Sequence, residues 1–304
     1  MSFQQDFMQE IADTVFGKTP KEEKKPEKRC FLRRFDTENK FKKNTEIAEL
    51  IKQDMSGGYC VQTMARTLRS TIQALLQKHE AEIKSAGINP ESWIHRERGE
   101  KGAWEEVYDW LWNHQYLCWL KANSWQFLQD KAKTPANWLQ FLTQEEMTSL
   151  NRGLMMPPPP VSGKPTIPVN RSLWMAIDLE LQPEKNYQLL LLNRSQDGES
   201  LLCPSSAFAP NALIDKPPIL LPQKDSWAGQ AEEQTNFKFG NLETEEFLAI
   251  VLEKPLDLPW LTPRPEEILP EWTAERIKEL FEKLEQQDNW QVFYQSFEVV
   301  NVET

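Results

Sequence analysis

The residue types able to carry out chemistry are few and scattered along the chain. His114 and Cys118 stand four apart on a predicted helix, so one helix face offers two donors to a metal ion. Zinc asks for further ligands, and His79 and His95 form no second close pair with them. Gly57-Gly-Tyr-Cys60 suggests a turn carrying a thiol, but a nucleophile needs a positioned base, and a solitary cysteine reads more simply as buried. Glu105-Glu106 and Glu145-Glu146 read as solvated helix faces and first-turn charges that complement the helix dipole. The chain has 11 glycines and neither a G-x-G-x-x-G nor a Walker sequence, which argues against a P-loop or Rossmann enzyme. These residues assign no catalytic, cofactor-binding or metal site.

Two stretches near the start suggest binding. Phe3, Phe7, Ile11 and Val15 recur every four residues and mark an apolar stripe on a short helix stopped by Gly17 and Pro20. A helix that short persists only when its stripe is covered, either by its own protein or by a groove on a partner. From Lys18 to Asn44, eleven Lys and Arg face five Asp and Glu. The lysine-rich part reads as a flexible basic arm, unable to bury enough to order itself. Arg29, Arg33, Arg34, Lys40, Lys42 and Lys43 alternate with Phe31, Phe35 and Phe41, a mixture able to neutralise phosphates and stack bases. The same mixture suits a linker, or a tether to an acidic body.

Composition bounds the rest. The 304 residues carry a formal charge of -11, which argues against a whole-protein nucleic-acid or anionic-membrane binder. Cys30, Cys60, Cys118 and Cys203 show no disulfide framework and fit reduced thiols in a cytoplasmic protein. No run reaches the roughly 18 to 20 apolar residues of a membrane span. Twelve tryptophans imply a thick aromatic core or an aromatic contact surface.

The elements follow from periodicity. Residues 44–156 read as five or six helices, among them Val61 to Ile83 ending at Gly87, and Trp104 to Ala122, apolar around much of its girth. Thr134 to Leu142 reads as a short helix with Pro135 in its first turn. Pro157 to Pro160, Pro165 and Pro168 mark a stiff linker over 157–170. Beyond it, Leu173, Met175, Ile177 and Leu179 alternate with Trp174, Ala176 and Asp178, the period of a strand. Tyr187 to Asn193 and Glu199 to Cys203 flank Asp197-Gly198 as a β-hairpin. Further strands are expected at 217–221, 236–239 and 246–252, then a helix over 272–287 and a strand over 290–302. The fold class is therefore α+β: a Trp-rich all-α N-terminal domain, then an antiparallel β-sandwich-like domain closed by a helix and strand.

Tyr187-Gln-Leu-Leu-Leu-Leu-Asn with Gly198, Leu201-Leu-Cys-Pro204, Asn211, Ile219-Leu-Leu-Pro222 and Glu246-Phe-Leu-Ala-Ile-Val-Leu-Glu-Lys-Pro255 resemble the β-rich family called domain of unknown function 4384. The resemblance covers residues 172–261. It implies an accessory, interaction-type role, since that domain is often joined to caspase-like peptidases or protein kinases in bacteria. It carries no active-site residues over, and the Trp-rich helical part departs from it. The sequence thus points to a non-enzymatic accessory or adaptor protein acting through a protein partner, with no cofactor. Two other readings stay open: a nucleic-acid-responsive regulator using the basic arm, and an enzyme with an unrecognised site where the domains meet.

Overall fold

The computed structural model describes residues 3–90, 104–135, 137–151, 164–182, 185–214, 217–230 and 236–301. The chain forms two compact units, residues 1–120 and 121–304. Their division lies inside a helix, whereas the proline-rich stretch had suggested a boundary at 157–170. His95 and Pro157 to Pro160 lie outside the described residues.

The first unit is helical, with α1 (Phe3–Phe16), α2 (Pro26–Arg34), α3 (Asn44–Asp54), α4 (Met64–Ser85) and α5 (Trp104–Trp110). A π-helical turn, Leu111–Gln115, carries α5 on into α6 (Tyr116–Asp130). The stripe on α1 is covered at home: the Phe7 ring lies 5.5 Å from Trp112, 5.1 Å from Tyr116 and 5.7 Å from Trp119. These offset and edge contacts suit aromatic quadrupoles.

The expected flexible arm over 18–43 is corrected by the structure. Pro26 sits in the first turn of α2, where its missing N–H costs nothing, and Cys30, Phe31 and Phe35 on one side are buried. Lys28 is fully buried and donates to Asp13 Oδ1 at 2.6 Å, to the Gly17 carbonyl at 2.8 Å and to Glu23. The lysine excess that suggested disorder therefore includes a buried ammonium tying α2 to the end of α1.

The second unit contains two sheets. Strands β1 (Leu139–Leu142), β3 (Trp174–Ile177) and β7 (Ile219–Leu221) form a three-stranded antiparallel sheet in the order β1-β3-β7. The larger sheet runs β2 (Thr166–Pro168), β9 (Trp290–Val300), β8 (Thr244–Leu252), β4 (Tyr187–Ser195), β5 (Gly198–Cys203), with β6 (Leu213–Ile214) also on β4. Among the described strand pairs only that of short β2 with β9 is parallel, and Lys133 adds an isolated parallel bridge to Phe293 of β9. Gly198 closes the hairpin at φ +125°, a conformation side chains with a Cβ resist.

Met175, Ile177 and Leu221 of the small sheet share a core with Leu189, Leu191, Phe247 and Val251 of the large one, so the sheets pack as a sandwich. The alternate residues of β3, Trp174 and Ala176, are buried too, with Leu142 and Met147 on the other face. A further helix, α7 (Ala274–Leu284), buries Ile277, Leu280, Phe281 and Leu284, and Phe281 meets Phe127 of α6 edge-on at 6.1 Å.

Residues 139–142 form a strand, where a helix was expected. Leu139 to Leu142 pair antiparallel with Ile177 to Trp174, and buried Trp138 beside them donates to the Tyr294 carbonyl at 3.2 Å. Backbone pairing and a 2% exposed indole outweigh the weak helical spacing. Asn236 to Phe239 form no strand, only an isolated bridge between Phe237 and Leu173.

Candidate interaction site

The loop between α2 and α3 carries the most exposed large apolar side chain among the described residues: Phe41, 94% exposed. Three lysines flank it, Lys40, Lys42 and Lys43. This loop is bonded to groups at both ends and beneath it. Arg34, the last residue of α2 and 1% exposed, donates from Nη1 to the Lys42 carbonyl at 2.7 Å and from Nη2 to the Lys40 carbonyl at 2.8 Å. Asn39 Nδ2 donates to the Arg33 carbonyl at 2.8 Å, and Asp36 Oδ1 accepts from the Glu38 amide at 2.8 Å. On the far side, Glu46 Oε2 accepts the Lys43 amide at 2.7 Å, which caps α3.

The Arg34 guanidinium lies 3.7 Å from the Trp104 ring centroid, within cation–π range. Burial pulls its pKa down from the usual arginine value, partly offset by Cys30 and Glu105. Its charge is accommodated by two carbonyls and an aromatic face.

Beside the loop is a cavity of about 390 Å³, within the range of ligand sites. Lys40, Phe41, Lys42 and Lys43 line one side of it. Trp104, Glu105, Tyr108 and Asp109, from α5, line the other. Lys40 Nζ sits 4.6 Å from the Tyr108 ring centroid and 3.8 Å from Asp109. Lys42 Nζ donates to Asn39 Oδ1 at 2.5 Å. Burial, with Asp36 and Asp109 nearby, pushes the Tyr108 hydroxyl pKa up, so it stays a neutral donor. Aromatic faces, ammonium groups and two carboxylates thus converge on one concavity.

The residues singled out from sequence fall into two groups. Phe3, Phe7 and Ile11 are buried and Val15 is partly buried, so the stripe offered as a partner-docking face is a core face; Trp112 of the π-helical turn and Tyr116 and Trp119 of α6 cover it. Of the six basic candidates, Arg29 pairs with Glu23 at 3.7 Å, Arg33 forms two bonds to Asp54 at 2.7 and 2.6 Å, and Arg34 is buried. Lys40, Lys42 and Lys43 are the three that come together at the cavity. Trp104 and Tyr108 escaped notice as site residues because their helical spacing reads equally well as core. The only hint was Phe41 standing alone between lysines.

The residues considered for chemistry are dispersed. His114 and Cys118 are both exposed, Cys60 is exposed, and His79 is buried 5.8 Å from the Trp110 ring, where burial pulls its pKa down. Burial pushes the Cys30 and Cys203 thiols up to about 12, which keeps them protonated. Among the described residues no group of three or more His, Cys, Asp or Glu is placed to hold a metal ion, and no helix is long and apolar enough to cross a membrane. No protein-family model matches the chain, and no curated protein matches it either.

Proposed function

We propose that this is an accessory, adaptor-type protein that docks an acidic segment of a partner protein on the Phe41 loop. The observation that carries the reading is a loop hydrogen-bonded from beneath by Arg34 with its phenylalanine 94% exposed. Leaving such a side chain in water forgoes roughly 1.5–3 kcal/mol of burial. The Arg34 clamp spends a buried guanidinium on keeping it there. A preorganised aromatic anchor is what interface hot spots use, since little entropy is lost when it docks. The flanking lysines favour carboxylates and speed encounter with an acidic surface.

The resemblance of residues 172–261 to the domain of unknown function 4384 family supports the same role, with a separate caspase-like peptidase or kinase as the partner and a bacterial cytoplasm as the setting. The site lies in the helical unit, so the β-sandwich then serves as a second module.

Affinity capture with the intact chain, with Phe41→Ala and with Lys42→Glu/Lys43→Glu tests this. One partner protein lost with both variants, and binding the intact chain as a purified protein, is expected. Retention of every partner by both variants refutes the loop as the docking site.

A further inference from the structure

We infer that the cavity beside the Phe41 loop binds a nucleotide, recognised through its base, its amino or hydroxyl donors and its phosphate together. This goes beyond protein docking and does not depend on it.

The walls set the ligand's chemistry. Phe41 stands at the mouth with its ring open, and Trp104 and Tyr108 form the facing wall; Arg34 and Lys40 lie within 3.7 and 4.6 Å of those two ring centroids. The open Phe41 ring accepts a planar heterocycle by stacking, without regard to which base it is, while part-exposed Trp104 and buried Tyr108, already faced by Arg34 and Lys40, back the wall behind it. Lys42, whose ammonium also donates to Asn39 Oδ1, and Lys43 are exposed on the same rim and suit a phosphate as point charges.

Glu105 and Asp109 decide among anions. A bare phosphate, sulfate or fatty-acid carboxylate brings no donor to meet them and is repelled by both. A nucleotide brings exocyclic amine and ribose hydroxyl donors along with its anionic group. Asp109 is partly neutralised by Lys40 at 3.8 Å, and Glu105 lines the same cavity as Lys42 and Lys43. At about 390 Å³ the cavity is of a size for one nucleotide. The ligand is either a free mononucleotide or one residue of a single strand whose backbone continues past the lysines.

The test is calorimetric titration of the full-length protein with AMP, adenosine, inorganic phosphate and a short oligodeoxyadenylate. AMP is expected to bind, with adenosine and phosphate at least about tenfold weaker, because each lacks one of the two contacts. Phe41→Ala and Lys42→Glu/Lys43→Glu should each weaken AMP by about tenfold or more. Both change exposed side chains, so unchanged thermal melts will show that the fold is kept. An oligonucleotide that binds more tightly than AMP, with affinity falling steeply with salt, assigns the site to single strands; equal affinity assigns it to the free nucleotide. No binding of either, phosphate binding as well as AMP, or AMP binding indifferent to both variants overturns the inference. Partner capture is read separately, so loss of nucleotide binding with docking intact removes only this inference.

Discussion

The guanidinium of Arg34 lies 3.7 Å above the Trp104 ring while its two terminal nitrogens bind the carbonyls of Lys40 and Lys42. One buried side chain thereby joins the end of α2, the Phe41 loop and α5. Arginine suits this place because one planar fork reaches two carbonyls while lying flat on the indole; a lysine ammonium is a point charge with no plane to stack.

Arg34→Lys is therefore expected to destabilise the chain by about 2 kcal/mol, through a lost charged hydrogen bond and a lost stack. Urea denaturation measures the loss. Hydrogen exchange should show the Lys40 and Lys42 amides less protected than in the parent. Unchanged protection would remove the clamp from the account.

The buried Lys28 yields a pH prediction. Burial opposes ionisation of Asp13, but hydrogen bonds from Lys28 and Gln9 and the Lys28 charge outweigh it and hold the carboxyl below its usual range. Burial likewise pulls Lys28 down, and Asp13 and Glu23 outweigh that to hold it above the usual lysine value. A carboxyl with a depressed native pKa contributes stability that is full above its unfolded value and is lost as pH falls through the folded one. A raised lysine pKa contributes stability below the unfolded lysine value, lost as pH rises through the folded one. Lys28→Met should cost about 3 kcal/mol at neutral pH, because two carboxylates lose their buried partner. Below the ordinary carboxylate range the deficit should shrink, as acid removes the Asp13 contribution from the parent as well. Denaturation midpoints across acid pH decide it, and a deficit independent of pH contradicts the assignment.

The place of β1 in the sandwich predicts how the chain divides. Residues 121–304 should unfold cooperatively as an isolated fragment, whereas 157–304 lacks β1 and Trp138 and should not. Trp138→Ala in the full chain should cost about 3–5 kcal/mol, from its lost volume and the bond to Tyr294. Cooperative unfolding of 157–304 would mean that β1 is dispensable.

Strong local patterns were legible in the sequence. The Tyr187 to Cys203 hairpin rests on Asp197-Gly198 between apolar runs, and the β3 alternation places Met175 and Ile177 in the sandwich as read. The α+β class follows from such stretches. Less legible were elements whose local signal opposed their tertiary setting. Pro135 with Leu139 and Leu142 imitates a helix, and only pairing with β3 makes 139–142 a strand. The lysines of 18–43 imitate disorder because the carboxylates that neutralise Lys28 include Asp13, on another helix. The α1 stripe was visible, but what covers it depended on Trp112 and Tyr116, about a hundred residues away. For the candidate site, Lys40, Lys42 and Lys43 were legible as cations, whereas Trp104 and Tyr108 became its wall only when α5 folded against the loop.

The most direct test compares stability and binding in a single variant, Phe41→Ala. An exposed docking side chain predicts an unfolding free energy within about 0.5 kcal/mol of the parent, together with at least about tenfold weaker partner binding. A destabilisation of several kcal/mol, as for a core phenylalanine, or full retention of partner binding would contradict it.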